Sequence, residues 1–284
     1  FREAFFAALQ HLLAIFVAII TPPLIISGAL KLDTETTGYL VSMALIASGI
    51  ATFVQCRRFG FIGTGLLCIQ GTSFSFIGPI IAAGTTGGLA LVFGSCMAAA
   101  SVEMIISRLL KYTRKIITPL VSGIVVTLIG MSLIKVGITA CGGGAVAQTD
   151  GTFGSLRYVG LAALVLVLIL IFNRSSNRYL RMSSIVIGLA TGYVVAWLMG
   201  MIDFGSVQSF GGVTVPHPFR FGLDISLSAV LALALIFVIT ANAAYGDITA
   251  NSMISGEPVE GEVFIRRASG GILPDGLTSM TSGM

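Results

Sequence analysis

Residues 62–83 read IGTGLLCIQGTSFSFIGPIIAA, and they lie within a run of 44 residues, Phe59 to Val102, that has no charged side chain. Since about 20 apolar residues cross the hydrocarbon core of a bilayer, this run predicts membrane-spanning chain. Its middle, Gln70 to Ser75, is nevertheless polar and contains a glycine, and Pro79 follows. Non-helical backbone at membrane depth is tolerated only where it is buried in protein or lines a wet cavity. The stretch therefore predicts a broken transmembrane segment whose N–H groups and hydroxyls face a substrate.

The composition of the whole chain is that of a polytopic membrane protein. Its 284 residues are 55% hydrophobic and 10% charged, whereas soluble domains carry about 25% charged residues. The net charge of +4 comes from cations in short loops and does not indicate nucleic-acid binding. The four cysteines are scattered without a CxxC or metal-ligand spacing, so neither a metal site nor a cofactor is expected.

Uncharged windows of about 20 residues predict eight transmembrane segments and the start of a ninth. The third and fourth segments share the long uncharged run and are separated at 84–88. A polar loop is expected after the eighth segment, and the ninth opens at Gly270. The predicted segments, in order, are 4–28, 38–56, 61–83, 89–107, 116–136, 157–173, 182–201 and 226–250.

The distribution of basic residues predicts the orientation of these segments. With the N-terminus in the cytoplasm, 12 of the 16 basic residues fall on the cytoplasmic side, as the positive-inside rule requires. We therefore expect a multi-pass protein of the cytoplasmic (inner) membrane with a cytoplasmic N-terminus. The outer loops 137–156 and 202–225 are expected to be solvated connections, with His217 at the surface.

Four ionisable residues lie inside the predicted segments, where they are costly and usually functional. Glu103 is expected to reach the cytoplasmic edge or to pair with Arg108. His11 either bonds across a helix interface or contacts the substrate. Asp247 is either a site residue or a cap at a helix end, and Asp275 is either an N-terminal cap of the ninth segment or a site residue.

The sequence does not predict an enzyme. It contains no GxSxG, HExxH or Walker motif, and no paired carboxylates are apparent within the membrane segments. Isolated polar groups beside broken helices are typical of secondary transporters, whose binding sites lie near the midplane on discontinuous segments.

Several distinct motifs follow one another along nearly the whole chain. They are Gln10–Ala14 with Thr21-Pro22, Gly65–Phe74, Ile117–Gly123, Ile134–Gly137, Gly142–Gly144, Gly246–Ala250 and Gly270–Leu277. With them the chain resembles the nucleobase–ascorbate transporter (nucleobase:cation symporter-2) family, and most of all its bacterial xanthine and uracil permeases.

The resemblance implies an all-α polytopic fold of 14 segments in two inverted repeats of seven, with a short strand breaking segment 3. Segments 1–4 and 8–11 would form a core domain and the remaining segments a gate domain. In this chain residues 1–110 would then be core, 111–205 gate, and 206–284 an outer loop, segment 8 and the start of segment 9. The chain would hold the first eight or so segments, which makes it a fragment or a variant of a longer protein.

The resemblance also implies a site and its ligands. Phe74 would meet a purine nucleobase with its backbone and ring, Ser73 would stand near His11, and Thr72 and Gln70 would belong to the same substrate-binding stretch. Asp247, Asp275 and His11 would form a polar network for proton coupling. The expected partners are the nucleobase, a proton, the lipid bilayer and a second copy in a homodimer.

One departure from the family pattern concerns the site itself. Family members carry a substrate-binding glutamate four residues before the Gly-Asp aspartate, on the same helix face, and here that position is Ala243. The charge-assisted bond from a carboxylate to a ring N–H is therefore missing. Asn242 points about 100° away on a helix and does not replace it. Tyr245 stands where the family usually has a small or aliphatic residue, which would narrow the site.

The leading hypothesis is proton-coupled symport of a purine nucleobase of the xanthine or uric acid type. One alternative is a non-transporting paralogue or binding module that kept the fold. Another is an anion transporter of the same fold, with the anion held at half-helix N-termini.

Overall fold

The computed structural model describes residues 2–116, 124, 127, 128, 130, 131, 134, 137–177, 180, 181, 183–202 and 215–282. The chain divides into two compact units. The first contains Phe1–Thr21 and Met131–Thr214, and the second contains Pro22–Gly130 and Val215–Met284.

The described residues are almost entirely helical. In chain order the helices are α1 (Arg2–Ala29), α2 (Thr34–Arg57), a 3-10 turn (Phe74–Phe76), α3 (Ile77–Ile116), α4 (Gly144–Thr149), α5 (Leu156–Asn173), α6 (Ser184–Leu198), α7 (Leu227–Ile254) and α8 (Gly261–Ser282).

Several of these helices are long and apolar enough to cross a membrane. In the part of the chain that the structure describes they are Thr34–Arg57, Phe74–Leu109, Leu156–Asn173 and Leu227–Ile254, with shorter apolar helices at Ile15–Ala29 and Ser184–Leu198. The prediction of an all-α, multi-pass membrane protein is confirmed. Helices α1, α2, α5, α6 and α7 correspond to predicted segments 1, 2, 6, 7 and 8, while most of predicted segment 5 lies outside the described residues.

The predicted break in segment 3 is present. Residues 58–73 form no helix, and α3 itself bends at Gly87 and Gly88, whose backbone angles are non-helical. The part of α3 before the bend is about 15 Å long, half the hydrocarbon thickness, and the part after it is long enough to span. Segment 3 is therefore an irregular stretch followed by a half-helix, and segment 4 is the rest of α3.

The short strand expected in segment 3 does not form within the described ranges. A strand needs a neighbour for its ladder, and the backbone of residues 64–70 bonds instead to side chains and to a carbonyl of α2. The only pairing assigned nearby, in the part of the chain described, is an isolated bridge between Phe59 and Ile62.

Helix α8 begins nine residues earlier than the predicted opening at Gly270. Glu262 and Arg266 lie on its first turns one helical turn apart, so they belong to a helix and not to the expected polar loop. Gly270 and Gly271 lie inside α8 and do not mark its start. Glycine is needed at these positions because Phe61 and Thr64 pack too closely to leave room for a side chain.

The core of the second unit is formed by α3, α7 and α8. One apolar cluster joins Ile106 of α3, Ile248 of α7 and Phe264 of α8. A second joins Ala99 and Ala100 to Phe237, whose ring lies 4.7 Å from that of Phe76 in the 3-10 turn. These contacts fix the half-helix of segment 3 against α7.

The first unit contains α5 packed on α6. Gly188 and Gly192 of α6 are four residues apart on one face, and Ile169 and Val165 of α5 fill the space above them. Small residues at this spacing let two membrane helices approach closely, which replaces the hydrophobic driving force that is missing in lipid.

Candidate functional site

One face of α2 binds the broken segment. The Ser48 hydroxyl donates to the carbonyl of Gln70, and the Gln70 N–H donates to Thr52 Oγ1 at 3.0 Å. Ser48 and Thr52 are one helical turn apart, so both hydroxyls face the same way. They satisfy backbone groups that would otherwise be unpaired at membrane depth.

Gln55 continues this polar face of α2 and is 1% exposed. Its Oε1 accepts the N–H of Thr64 at 3.2 Å, and its Nε2 donates to the carbonyl of Gly271 at 2.8 Å. Its own carbonyl accepts the N–H groups of Thr64 and Gly65 at 3.1 and 3.0 Å. Gln55 thus links α2, the broken segment and α8.

The start of the broken segment is docked on a gap in the hydrogen bonding of α8. Pro274 has no N–H, so the carbonyl four residues earlier, that of Gly270, has no helical donor. The N–H of Gly63 donates to that carbonyl at 2.6 Å. A Cβ atom on Gly270 would lie 2.7 Å from the carbonyl oxygen of Phe61, so glycine is required for this approach.

Helix α7 holds the other side of the broken segment. Asn251 Nδ2 donates to the carbonyl of Leu67 at 3.0 Å and contacts Cys68 Sγ at 2.9 Å. Thr240, Ala243, Asp247 and Asn251 recur every three or four residues and share one face of α7. This face turns toward the broken segment.

A cleft of about 320 Å³ opens between these elements. Its size lies at the lower end of the range for small-molecule sites. Polar and apolar groups contribute to its walls in similar measure. Its lining residues are Gln55, Leu67, Cys68, Ile69, Gln70, Ser73, Thr240, Ala243, Ala244, Asp247, Ile248, Asn251 and Asp275.

Two carboxyl groups meet at the back of the cleft. Glu103 of α3 is 1% exposed, and its carboxyl lies beside that of Asp275 of α8. The Thr240 hydroxyl of α7 donates to the carbonyls of Ile236 and Phe237 within its own helix. The prediction that Glu103 reaches the cytoplasmic edge or pairs with Arg108 is wrong, because the Arg108 guanidinium lies over the ring of Phe61 at 5.1 Å. The chain therefore does contain paired carboxylates within its membrane segments.

The cleft brings together five of the predicted site residues, namely Gln70, Ser73, Ala243, Asp247 and Asp275. Ser73 also caps the 3-10 turn, since its Oγ accepts the N–H of Ser75 at 3.3 Å. The other predicted residues of this stretch, Thr72 and Phe74, flank Ser73 and are not among the lining residues. His11 is exposed on the part of α1 that belongs to the first unit and is described with that unit alone.

The structure removes the capping alternatives for both aspartates. Asp247 lies within α7, which continues to Ile254, and Asp275 lies well inside α8. The expectation that Tyr245 narrows the site is also wrong. Its ring packs edge-on against Phe264 at 5.4 Å, in the apolar cluster behind the cleft.

Sequence reasoning missed Gln55, Thr240 and Asn251 as residues of the cleft, and it missed Glu103 as a neighbour of the cleft residue Asp275. Thr240 and Asn251 carry a signal, since they stand one and two turns from Ala243 on the face that bears Asp247. Gln55 follows Ser48 and Thr52 along one face of α2. Nothing near Glu103 in the sequence points to its partner, because Asp275 lies far away in the chain.

Comparison with known proteins shows similarity to permeases. The model of the Permease family matches residues 2–284. The chain is 48% identical to the xanthine permease XanP of Escherichia coli (strain K12), over 99% of this chain and 63% of the relative. It is 45% identical to the xanthine permease XanQ of the same organism, over 99% of this chain and 62% of the relative.

A more distant relative is the uric acid permease PucJ of Bacillus subtilis (strain 168), at 33% identity over 94% of this chain and 61% of the relative. The chain thus spans just over three-fifths of the length of these curated relatives. The matching family consists of permeases, so the prediction that this is not an enzyme is confirmed. The chain belongs to this Permease family, the nucleobase–ascorbate transporter family that its motifs resemble.

Proposed function

We propose that this chain forms the substrate-binding region of a permease that carries a purine nucleobase of the xanthine or uric acid type together with a proton. The observation that carries the proposal is the cleft between the broken segment and the polar face of α7. Its relatives are named as permeases of xanthine and of uric acid. Both names denote oxidised purines, whose edges present N–H donors and carbonyl acceptors.

The groups that line the cleft suit such an edge. The side-chain amide of Gln70 can both donate and accept. The Nδ2 of Asn251 already donates to Leu67 and Cys68, so its Oδ1 remains as an acceptor, and the carboxylate of Asp247 accepts only. In our proposal Ser73, Gln70 and Thr72 contact the purine edge, and Phe74 packs on its ring. Asp275 belongs to the polar network around the bound base, and His11 is proposed as a substrate-binding and proton-coupling residue from the family resemblance alone.

The position of Ala243 bears on how well the chain binds. Ala243 lines the cleft, so the carboxylate that the family resemblance implies would stand in the site itself. Asp247 is one turn away on the same face and offers a carboxylate acceptor for a ring N–H. The absence of a carboxylate at position 243 favours the alternative of a binding module that retains the cleft and binds the purine weakly.

The anion-transporter alternative receives less support from the cleft. Asp247 and Asp275 both line it, and two carboxyl groups repel an anionic substrate at short range. We further propose that the protein lies in the cytoplasmic membrane with a cytoplasmic N-terminus and assembles as a homodimer. The excess of basic residues on the predicted cytoplasmic side supports the orientation.

Xanthine binding to the purified chain in detergent tests the proposal. The chain, the variant Ala243→Glu and the control variant Ala250→Glu are compared by thermal shift and calorimetry. Ala250 lies two turns along α7 and outside the cleft lining. A ligand that binds the folded state raises its stability by RT ln(1 + [L]/Kd), so weak binding is visible at high xanthine concentration.

We expect Ala243→Glu to bind xanthine more tightly than the unmodified chain, by roughly tenfold or more, because a charge-assisted hydrogen bond contributes about 1.5–3 kcal/mol. The control Ala250→Glu should bind like the unmodified chain. If the unmodified chain and Ala243→Glu both fail to bind xanthine and uric acid at millimolar concentrations, the proposed function is wrong for this chain.

A further inference from the structure

The Glu103 carboxyl is a buried polar group that the proposed binding site does not use. It is 1% exposed, and its Oε1 has no hydrogen-bond partner within the described part of the chain. Its carboxyl is in hydrogen-bonding contact with Asp275. Asp275 in turn lines the cleft, so the pair connects the cleft with the interior between α3 and α8.

The backbones of α3 and α8 are built to approach at this level. Gly276 follows Asp275, and a Cβ atom there would lie 3.0 Å from Met104 Cγ and 3.3 Å from both the Met104 nitrogen and the Ala100 oxygen. A glycine at 276 thus lets α8 lie against the turn of α3 that carries Glu103. This helix packing brings Glu103 and Asp275 close together.

Two carboxyl groups in this contact need a proton between them. An ionised carboxylate only accepts hydrogen bonds, so one partner must carry an O–H that donates to the other. Like charges about 3 Å apart cannot both be ionised in a site that excludes water. With one proton the pair carries a single negative charge, and without it two anions face each other.

No cation among the described side chains offsets this charge. The elements around the pair contribute Thr240 and Asp247 from α7 and Cys68 from the broken segment, the last two in the same cleft. Arg108 of α3 lies on the Phe61 ring instead. On α8, Arg267 is paired with Glu257 at 2.8 Å. A proton is therefore the species that fits between Glu103 and Asp275.

We propose that Glu103 and Asp275 form a carboxyl pair that binds one proton, and that this is the proton which moves with the substrate. Asp275 exchanges the proton with water in the cleft, and Glu103 holds it out of reach of solvent. When substrate occupies the cleft, the access of water to Asp275 changes. The exchange of the proton between Asp275 and water changes with it. The coupling to substrate rests on the proposed function, whereas proton binding by the pair does not.

Infrared spectroscopy of the purified chain tests the proton site without any substrate. We expect a carboxylic acid C=O band at neutral pH that shifts in heavy water. The band should be lost in Glu103→Gln and in Asp275→Asn and kept in Glu260→Gln, which removes an exposed loop carboxylate. Labelling all glutamates with ¹³C at the side-chain carboxyl should shift the band in the unmodified chain, which needs no variant to fold.

The proton site is overturned if the unmodified chain shows no such band, or if the band persists in both Glu103→Gln and Asp275→Asn. An absent ¹³C shift overturns the assignment of the proton to Glu103. Each variant is first checked for a single symmetric peak in gel filtration, so that loss of the band is not a sign of unfolding.

The coupling is tested by calorimetry of xanthine binding in buffers with different ionisation enthalpies, using Ala243→Glu with and without Glu103→Gln. At an alkaline pH, at which the infrared band of the unmodified chain has been lost, xanthine binding should be accompanied by proton uptake. Glu103→Gln should abolish that uptake, while the affinity for xanthine at neutral pH changes less than threefold. Unchanged proton uptake overturns the coupling role. If the infrared band is present but xanthine does not bind, the proton site is supported and the proposed function is wrong. If xanthine binds but the band is absent, the proposed function is supported and the proton site is wrong.

Discussion

At the scale of single residues, the site depends on glycines where the broken segment meets its neighbours. Gly63 has a φ of +91°, in the left-handed region that other residues avoid. A Cβ atom on it would also overlap the carbonyl oxygen of Val54 and lie 3.1 Å from the Cα atom of Arg58. Conformation and space both demand glycine here.

We expect Gly63→Ala to lower the free energy of unfolding by about 2–4 kcal/mol, since it combines backbone strain with a backbone overlap. Gly49→Ala on α2 is the control, because a Cβ atom there meets nothing within 4 Å. That control should be neutral or slightly stabilising. Thermal unfolding in detergent measures both variants, and equal losses would contradict the role given to Gly63.

Asp33 supplies a residue-scale prediction about pH. It caps α2, and the N–H that Thr36 donates to its carboxylate at 2.9 Å lowers the pKa of Asp33 below 3.8. A lowered folded-state pKa contributes stability above the unfolded-state value, and that contribution is lost as the pH falls through the folded-state pKa.

Asp33→Ala should therefore have a lower Tm than the unmodified chain at pH 7 and a smaller further loss of Tm as the pH is taken below 3.8. The exposed loop residue Glu260 provides the control variant Glu260→Ala, whose acid-side curve should match that of the unmodified chain. If Tm falls by the same amount with decreasing pH in Asp33→Ala and in the unmodified chain, the Asp33 cap does not contribute pH-dependent stability.

At the scale of elements, the broken segment is held from two sides. Ser48 and Thr52 of α2 bond to the backbone of Gln70, and Asn251 of α7 bonds to Leu67 and Cys68. A segment with few apolar contacts of its own depends on such bonds for its local stability. The rigidity of one wall of the cleft therefore depends on side chains of its neighbours.

Asn251→Ala should open this segment locally. In a chain whose cysteines 56, 96 and 141 are replaced by serine, we expect Cys68 to react with a maleimide roughly fivefold faster or more, since losing one hydrogen bond lowers local stability by about 1 kcal/mol. Thr249→Ala is the matched control, because that hydroxyl bonds only to Tyr245 within α7. If Cys68 reacts equally fast in Asn251→Ala and Thr249→Ala, the bond does not hold the segment.

Element positions could largely be predicted because uncharged windows and charged boundaries mark membrane helices. The break in segment 3 could be predicted as well, since Gln70 to Ser75 cannot face lipid. The start of α8 could not, because Gly270 and Gly271 resemble a helix boundary in sequence. Only the approach of Phe61 and Thr64 explains why glycines stand inside that helix.

The candidate site was predictable only in part for a related reason. Gln70, Ser73, Asp247 and Asp275 are conspicuous because polar groups are rare in these segments. The pairing of Asp275 with Glu103 depends on the packing of α8 on α3, which no local pattern encodes. Similarly, the ring of Tyr245 lies in the apolar cluster because it packs against Phe264 of α8.

At the scale of the whole molecule, the apolar surface is that of a protein in a bilayer. Large hydrophobic side chains such as Leu166, Leu170, Leu231 and Leu235 are more than half exposed on the helices. A soluble protein does not leave such continuous apolar faces uncovered. Lipid is the solvent that suits these faces, and the charged loops then determine which way the chain crosses it.

The last prediction concerns the orientation of the chain in the membrane. Because 12 of the 16 basic residues lie on one side of the predicted segments, the turn after α5 should face the cytoplasm and the loop before α7 should face outward. In a chain without its own cysteines, Asp224→Cys should react with a membrane-impermeant maleimide in intact cells, and Ser176→Cys should react only after the cells are opened. Both positions are exposed in the structure, so a difference in labelling reports the side of the membrane and not burial. The reverse pattern would place the N-terminus outside, and labelling of both sites in intact cells would mean that the chain does not adopt one orientation.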